Sequence, residues 1–190
     1  MTLLRAFRVF PFNPASKTDQ PGGAFFVPRK QQGQGRHDIP HLDGVLYGAA
    51  GNPVSAIAEY IQVFRGQTIT QSEIDHPNKN LIRSIVEYEL EVSDRILDLD
   101  DPQVLLRLDL RPSQVMTHNR NTTRNISEQI HREIAKGFFW PSTLEASWIN
   151  ITLFESRREN SLSLKTTPQR LTIEMPELHE AAKILGVFIG

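Results

Sequence analysis

The order in which strand-like and helix-like segments follow one another most constrains the fold of this sequence. A period-two alternation of side chains, typical of a strand, runs from Leu4 to Phe10. Further strands are predicted at residues 44–48, 81–90, 148–154 and 171–175. Because helices are interspersed among these strands without a steady alternation, the sequence favours an α+β fold over a doubly wound sheet.

Helices are predicted from their caps and from the spacing of their apolar residues. Asn52 and Pro53 provide the N-cap and the first residue of a helix that reaches about Phe64. Asp101 and Pro102 begin a short helix in the same way. Two more helices are predicted, one that opens at Thr122 or Thr123 and runs through Ile134 to a stop at Gly137, and one that opens at Pro176.

Length and composition predict one soluble domain over residues 1–190. The chain is 39% hydrophobic and 23% charged, enough for one ordinary core, and no linker divides it. A formal net charge of −1 gives no overall field for nucleic acid or anionic lipid, so neither is expected as a partner. Without cysteine, a signal-like segment or an apolar stretch long enough for a bilayer, the sequence predicts a cytoplasmic protein.

A cluster of imidazoles and carboxylates ends the long irregular segment from Pro11 to Asp43. His37, Asp38, His41 and Asp43 are of the residue types that bind zinc or manganese. Their spacing matches no specific metal signature, so a structural role is favoured and no bound metal is expected. Metal-dependent hydrolysis at these residues stays an alternative.

Other local motifs carry no catalytic signature by themselves. The glycines at residues 22, 23, 33 and 35 do not stand between a strand and a helix with the required spacing, which excludes a Rossmann or P-loop site. Ser142 lacks the flanking glycines of a nucleophile elbow. Glu59 lies almost opposite the apolar stripe of its predicted helix, so the residues alone place it toward solvent.

A set of short motifs nevertheless follows a recognisable order along residues 5–154. The motifs are Phe7-Arg8-Val9-Phe10, Gly35-Arg36-His37-Asp38, Val45-Leu46-Tyr47-Gly48, Ala56-Ile57-Ala58-Glu59, Trp140-Pro141-Ser142 and Trp148-Ile149-Asn150. Together they resemble the RES-domain family, which is named for an arginine, a glutamate and a serine. His37 and Asp38 depart from the commoner family pattern, in which an aromatic and a small polar residue follow the arginine.

The resemblance implies a fold, an activity and a partner. RES domains resemble ADP-ribosyltransferases, which implies a mixed β-sheet core flanked by helices. They are the toxins of Xre-RES toxin–antitoxin pairs and deplete NAD by cleaving its nicotinamide–ribose bond. NAD would thus be the substrate, with no further cofactor, and an Xre-type antitoxin would block the site.

The resemblance also assigns roles to individual residues. Arg36, Glu59 and Ser142 match the three residues of the family name and would be catalytic, while Arg8, Arg36, Tyr47 and Asn150 would bind NAD. Guanidinium groups suit the pyrophosphate, and a carboxylate stabilises the oxocarbenium character that develops at the ribose. Tyr47 would stack on a ring of the substrate, and Ser142 and Asn150 would orient nicotinamide or ribose.

Two further functions remain open from the sequence. The chain could instead transfer ADP-ribose to a protein, as some members of the family do. It could also keep the fold as an inactive interaction module. Self-association of the chain is equally open.

Overall fold

The computed structural model describes residues 2–158 and 161–190. Its strands are β1 (Thr2–Phe12), β2 (Val45–Ala50), β3 (Thr68–Ile69), β4 (Ile82–Val92), β5 (Ile96–Asp98), β6 (Gly137–Pro141), β7 (Ile149–Phe154), β8 (Leu162–Leu164), β9 (Gln169–Arg170) and β10 (Phe188–Ile189). Its helices are α1 (Pro53–Ile61), α2 (Gln71–Ile74), α3 (Pro102–Arg107), α4 (Pro112–Val115), α5 (Arg120–Arg132) and α6 (Pro176–Leu185). β5 and β6 run parallel whereas β6 and β7 run antiparallel, so the sheet is mixed. The predicted α+β class is confirmed.

The chain forms two compact units and passes between them several times. The first unit comprises Met1–Leu4, Val27–Tyr47 and Leu90–Ser163. The second comprises Arg5–Phe26, Gly48–Glu89 and Leu164–Gly190. The assignment of residues 1–190 to one domain stays a prediction.

The core of the first unit lies between α5 and one face of its strands. α5 begins where the side chain of Asn119 accepts hydrogen bonds from the first free N–H groups of the helix. Ile126 and Ile130 of this helix are buried in the same apolar cluster as Phe138 and Trp140 of β6. Burial of these large side chains is the main force that holds α5 on the strands.

In the second unit, α1 packs against α6. Asn52 caps α1 by accepting from the N–H of Val54, and Pro53 is the first helical residue, as predicted. α6 begins at Pro176, as predicted, and ends at Leu185; the next residue, Gly186, has a φ of 68°, which favours glycine. β1 and β2 pair in antiparallel orientation in this unit.

Two predictions of secondary structure need correction, and one strand lies where no element is predicted. Residues 171–175 do not form a strand, because the side chain of Gln71 takes the N–H of Ile173 that a neighbouring strand would otherwise bond. α5 ends at Arg132, before Ile134, whose φ is 58°. Residues 137–141 form β6, although a short apolar run of this kind does not distinguish strand from helix.

Within residues 2–158 and 161–190, no helix combines the length and the apolarity that crossing a membrane requires.

Candidate functional site

The predicted site residues are divided between the two units. Arg36, Tyr47, Ser142 and Asn150 belong to the first unit. Arg8 and Glu59 belong to the second.

Trp140 lies on a face of β6 and β7 that also carries buried polar side chains. It pairs with Asn150 in the antiparallel ladder of β6 and β7, and paired side chains point to the same face of a sheet. Ser142 follows two positions later, and its N–H donates to the carbonyl of Trp148 at 2.8 Å, so the pairing continues past the end of β6. Because side chains two positions apart share a face, Trp140, Ser142 and Asn150 lie on one side of these strands.

Arg36 extends across that face. Its guanidinium carbon lies 5.2 Å from the centre of the Trp140 ring, in cation–π contact. Its Nη2 donates to the carbonyl of Val115, the last residue of α4, at 2.6 Å. These two contacts fix the half-buried guanidinium of Arg36 beside the face on which Ser142 and Asn150 lie.

Tyr47 braces the loop that carries Arg36. Its hydroxyl donates to Oδ1 of Asp38 at 2.8 Å and accepts from the N–H of His37 at 2.9 Å. Oδ2 of Asp38 accepts from the N–H groups of Gly33 and Gly35 at 2.7 and 2.6 Å. A Cβ on Gly35 would approach the Asp38 carboxylate within 2.5 Å, which explains the glycine. The hydroxyl of Tyr47 thus holds the loop.

Burial raises the pKa of the Tyr47 phenol well above its ordinary value of 10, and the charge of Asp38 and the hydrogen bond to it act in the same direction. The phenol therefore stays protonated at neutral pH and keeps donating to Asp38.

Ser142 and Asn150 are buried polar residues, with 1% and 2% of their surfaces exposed. The Ser142 hydroxyl oxygen accepts from the N–H of Leu144 at 3.1 Å, which shapes the turn after β6. A hydroxyl held in this way can orient a ligand through hydrogen bonds, which is the role that the resemblance implies.

An apolar groove borders this group of residues. It has a volume of about 530 Å³, within the range of small-molecule sites. Val115, whose carbonyl binds Arg36, and Pro141, which precedes Ser142, both line it. Leu106 also lines it and is 82% exposed.

Arg8 lies on β1 in the second unit. Its Nη1 and Nη2 donate to the carbonyls of Ala24 and Phe26 at 3.1 and 3.2 Å. The guanidinium therefore fixes part of the segment that the sequence predicts as irregular.

Glu59 lies on α1 in the second unit. The buried surface of this helix is wider than the predicted apolar stripe, because Ser55 and Ala56 are buried as well. Glu59 is consequently half-buried rather than solvated. Its Oε2 accepts from the side-chain amide of Gln62 at 2.9 Å, which restrains the carboxylate.

The metal alternative finds no support in the geometry. Among the described residues, no three His, Asp or Glu side chains converge on a point where a metal could bind. His37 bonds to α5, Asp38 to Tyr47 and the glycine loop, His41 to Glu128, and Asp43 to His131 and Ser156. Each of the four residues has a separate structural partner.

Three residues that contact Arg36 were not predicted as site residues, namely Trp140, Val115 and Thr123. Trp140 stands in the alternation Phe138, Trp140, Ser142, which is a strand signal that places tryptophan and serine on one face. The contact between His37 and Thr123 joins positions 86 residues apart, and no local sequence pattern indicates that two such distant residues meet.

A model of the RES domain matches residues 6–174. The chain therefore belongs to the RES-domain family. It resembles in fold a chain of the crystal structure of the MbcT–MbcA toxin–antitoxin complex of M. tuberculosis, with a TM-score of 0.64 and 15% sequence identity over 97% of this chain and 90% of that chain. No curated protein matches the chain.

Proposed function

We propose that this chain is the toxin of a toxin–antitoxin pair and that it cleaves the bond between nicotinamide and ribose in NAD. Membership of the RES-domain family and the likeness in fold to a chain of a toxin–antitoxin complex support this proposal. The observation that carries it is the arrangement of Arg36, stacked on Trp140, beside the face that holds Ser142 and Asn150.

The groups on this face suit recognition of a dinucleotide. The guanidinium of Arg36 has a fixed direction and binds a phosphate through charge-assisted hydrogen bonds. Ser142 and Asn150 are buried polar side chains that orient the amide of nicotinamide or the hydroxyls of ribose. The ring of Tyr47 provides a flat surface for stacking, and the family resemblance assigns Arg8 to the phosphates as well.

The family resemblance assigns Glu59 to the bond that breaks. When nicotinamide leaves C1′ of the ribose with the bonding electron pair, the pyridinium becomes neutral and positive charge develops on the ribose. A restrained carboxylate close to that charge stabilises the transition state. An oxygen of water, phosphate or a protein side chain then bonds to C1′ and loses its proton.

Release of nicotinamide from NAD by the purified protein tests the proposal. We expect cleavage by the wild-type chain and a loss in kcat of about 100-fold or more for Glu59→Gln, since the neutral amide no longer stabilises the developing charge. Glu180→Gln is the matched control, because Glu180 is an exposed glutamate on α6. Absence of cleavage by the wild type, or equal activity in both variants, contradicts the proposal.

The product identifies the acceptor. Free ADP-ribose indicates water, ADP-ribose carrying one more phosphate indicates inorganic phosphate, and a mass increase on a macromolecule indicates transfer to protein. Each acceptor is supplied in turn at the same NAD concentration. The products are separated by chromatography and identified by mass spectrometry.

The antitoxin is tested separately by co-expression with the neighbouring open reading frame. We expect a cognate Xre-type protein to form a complex with this chain and to suppress nicotinamide release. A stable complex that leaves the cleavage rate unchanged contradicts inhibition but not the reaction itself.

A further inference from the structure

His37 is fully buried although it lies in a loop, with an exposed fraction of 0%. Its ring stands edge-on to Phe138 and Trp140, whose ring centres lie 4.9 and 4.8 Å away. Its Nδ1 lies 3.1 Å from the carbonyl oxygen of Thr123 and 3.0 Å from Oγ of Ser127, both on α5. Contacts with β6 and α5 thus fix the orientation of the imidazole.

These hydrogen bonds determine the tautomer of His37. The carbonyl of Thr123 can only accept, so Nδ1 carries the proton and donates it. Ser127 Oγ accepts from the ring and donates to the same carbonyl at 3.1 Å. Nε2 is then an acceptor, and within residues 2–158 and 161–190 it has no hydrogen-bond partner.

The ring is neutral as well as fixed. Burial lowers the pKa of His37 to about 3, and the charge of neighbouring Arg36 acts in the same direction, whereas the bond to Thr123 opposes the shift. At neutral pH, His37 therefore adds no second positive charge next to Arg36.

The backbone on both sides of the ring is held as well. The hydroxyl of Thr123 donates to the carbonyl of Arg36, and the N–H of His37 donates to the hydroxyl of Tyr47. From this backbone the side chain of Arg36 reaches Trp140, the same ring that His37 contacts.

The geometry points to His37 as a positioning residue of the NAD site: its Nδ1–H bond to α5 fixes the backbone from which Arg36 reaches the pyrophosphate. This inference rests on the proposed function. His37 acts through Arg36 and does not itself touch the substrate.

His37→Phe is the central variant. A phenyl ring keeps the planar contacts with Phe138 and Trp140 and loses the bond from Nδ1, while at the Nε2 edge no partner among the described residues is lost. Ser127→Ala keeps the imidazole and removes one of its partners on α5, and thus provides a milder test if His37→Phe folds poorly. His41→Phe is the matched control, because His41 lies in the same loop with 61% of its side chain exposed.

Two measurements distinguish positioning from general destabilisation. The first is steady-state cleavage of NAD by the full chain, where loss of a hydrogen bond that orients a binding group raises KM about tenfold and leaves kcat within about threefold. The second is the NMR resonance of the Arg36 Nε–H proton, which the Trp140 ring current shifts while the guanidinium stays stacked 5.2 Å from the ring centre. The second measurement needs no NAD.

We expect His37→Phe to raise KM and to move the Arg36 resonance toward its unstacked position, Ser127→Ala to have both effects more weakly, and His41→Phe to have neither. An unchanged KM together with an unchanged Arg36 resonance in His37→Phe overturns the inference. If the wild type cleaves no NAD, the proposed function fails. The Arg36 resonance then still decides the positioning role, since a shift in His37→Phe supports it and no shift overturns it.

Discussion

At the residue scale, the neutral state of His37 couples folding to pH. The buried imidazole has a pKa of about 3, against about 6.5 for an exposed histidine. Above pH 6.5 the ring is neutral in both the folded and the unfolded chain. As the pH falls from 6.5 toward 3, the unfolded chain binds a proton that the folded chain does not, so the folded state loses stability over that window.

We therefore expect the stability difference between the wild type and His37→Phe to change with pH. Between pH 7 and pH 5 the wild type should lose about 2 kcal/mol of unfolding free energy relative to the variant. Urea denaturation of both proteins at the two pH values measures this change, and His41→Phe controls for the removal of a histidine as such. A difference that stays constant between pH 7 and pH 5 contradicts the neutral buried ring.

Ile134 gives a second prediction at this scale. It is β-branched, 65% exposed and held at a φ of 58°, a conformation that costs an L-residue of this shape about 1–2 kcal/mol. Its carbonyl accepts from Nε and Nη2 of Arg95, and these bonds do not depend on the side chain. Ile134→Gly should therefore raise the unfolding free energy by about 1 kcal/mol.

Urea denaturation of Ile134→Gly at neutral pH measures this effect. Ile184→Gly on α6 is the control, because Ile184 is 44% exposed and helical, where glycine should lower the unfolding free energy by about 1 kcal/mol. Destabilisation by both substitutions would mean that the strain at Ile134 is not relieved by glycine.

At the scale of elements, the strands of the second unit approach one another closely at one glycine. A Cβ added to Gly48 on β2 would collide with the hydroxyl of Tyr88 on β4 and would lie 3.3 Å from the carbonyl oxygen of Phe7. We expect Gly48→Ala to cost about 1–3 kcal/mol of unfolding free energy, as overpacking of a core does.

Tyr88→Phe removes the oxygen that causes this collision, so the two substitutions should not be additive. The double variant should be more stable, by about 1 kcal/mol or more, than the sum of the two single effects predicts. A double-mutant cycle in urea measures this coupling. Strict additivity would show that the Tyr88 hydroxyl does not limit the space at Gly48.

Elements with a local signal could be predicted from the sequence. Asn52 with Pro53, and Asp101 with Pro102, have the caps that the structure confirms, because a cap needs only neighbouring residues. The end of α5 could not be predicted, since Arg95, 39 residues before Ile134, bonds the carbonyl that the helix leaves. The site shows the same limit. The family resemblance identified Arg36, but the contacts by which His37 and Thr123 fix its backbone join distant positions that no local sequence pattern indicates.

The whole molecule responds to a ligand through its global stability. A ligand that binds only the folded chain raises the unfolding free energy by about 2.7 kcal/mol at a hundred times its Kd. For a chain of 190 residues this corresponds to a Tm increase of roughly 5–10 °C. The effect reports binding alone, so it is independent of the acceptor and of the rate of cleavage.

We expect NAD to stabilise Glu59→Gln, a variant that should bind NAD while consuming it slowly. Adding Arg36→Gln should abolish most of the Tm increase, because the guanidinium that Trp140 and Val115 orient is the proposed phosphate ligand. Arg132→Gln in the same background is the control, since it removes the same charge from the first unit at a side chain that is 72% exposed. Differential scanning fluorimetry over a range of NAD concentrations measures all three proteins. Equal Tm increases in the two double variants would exclude Arg36 from the binding site. No Tm increase in any of the three proteins would contradict the binding of NAD by this chain.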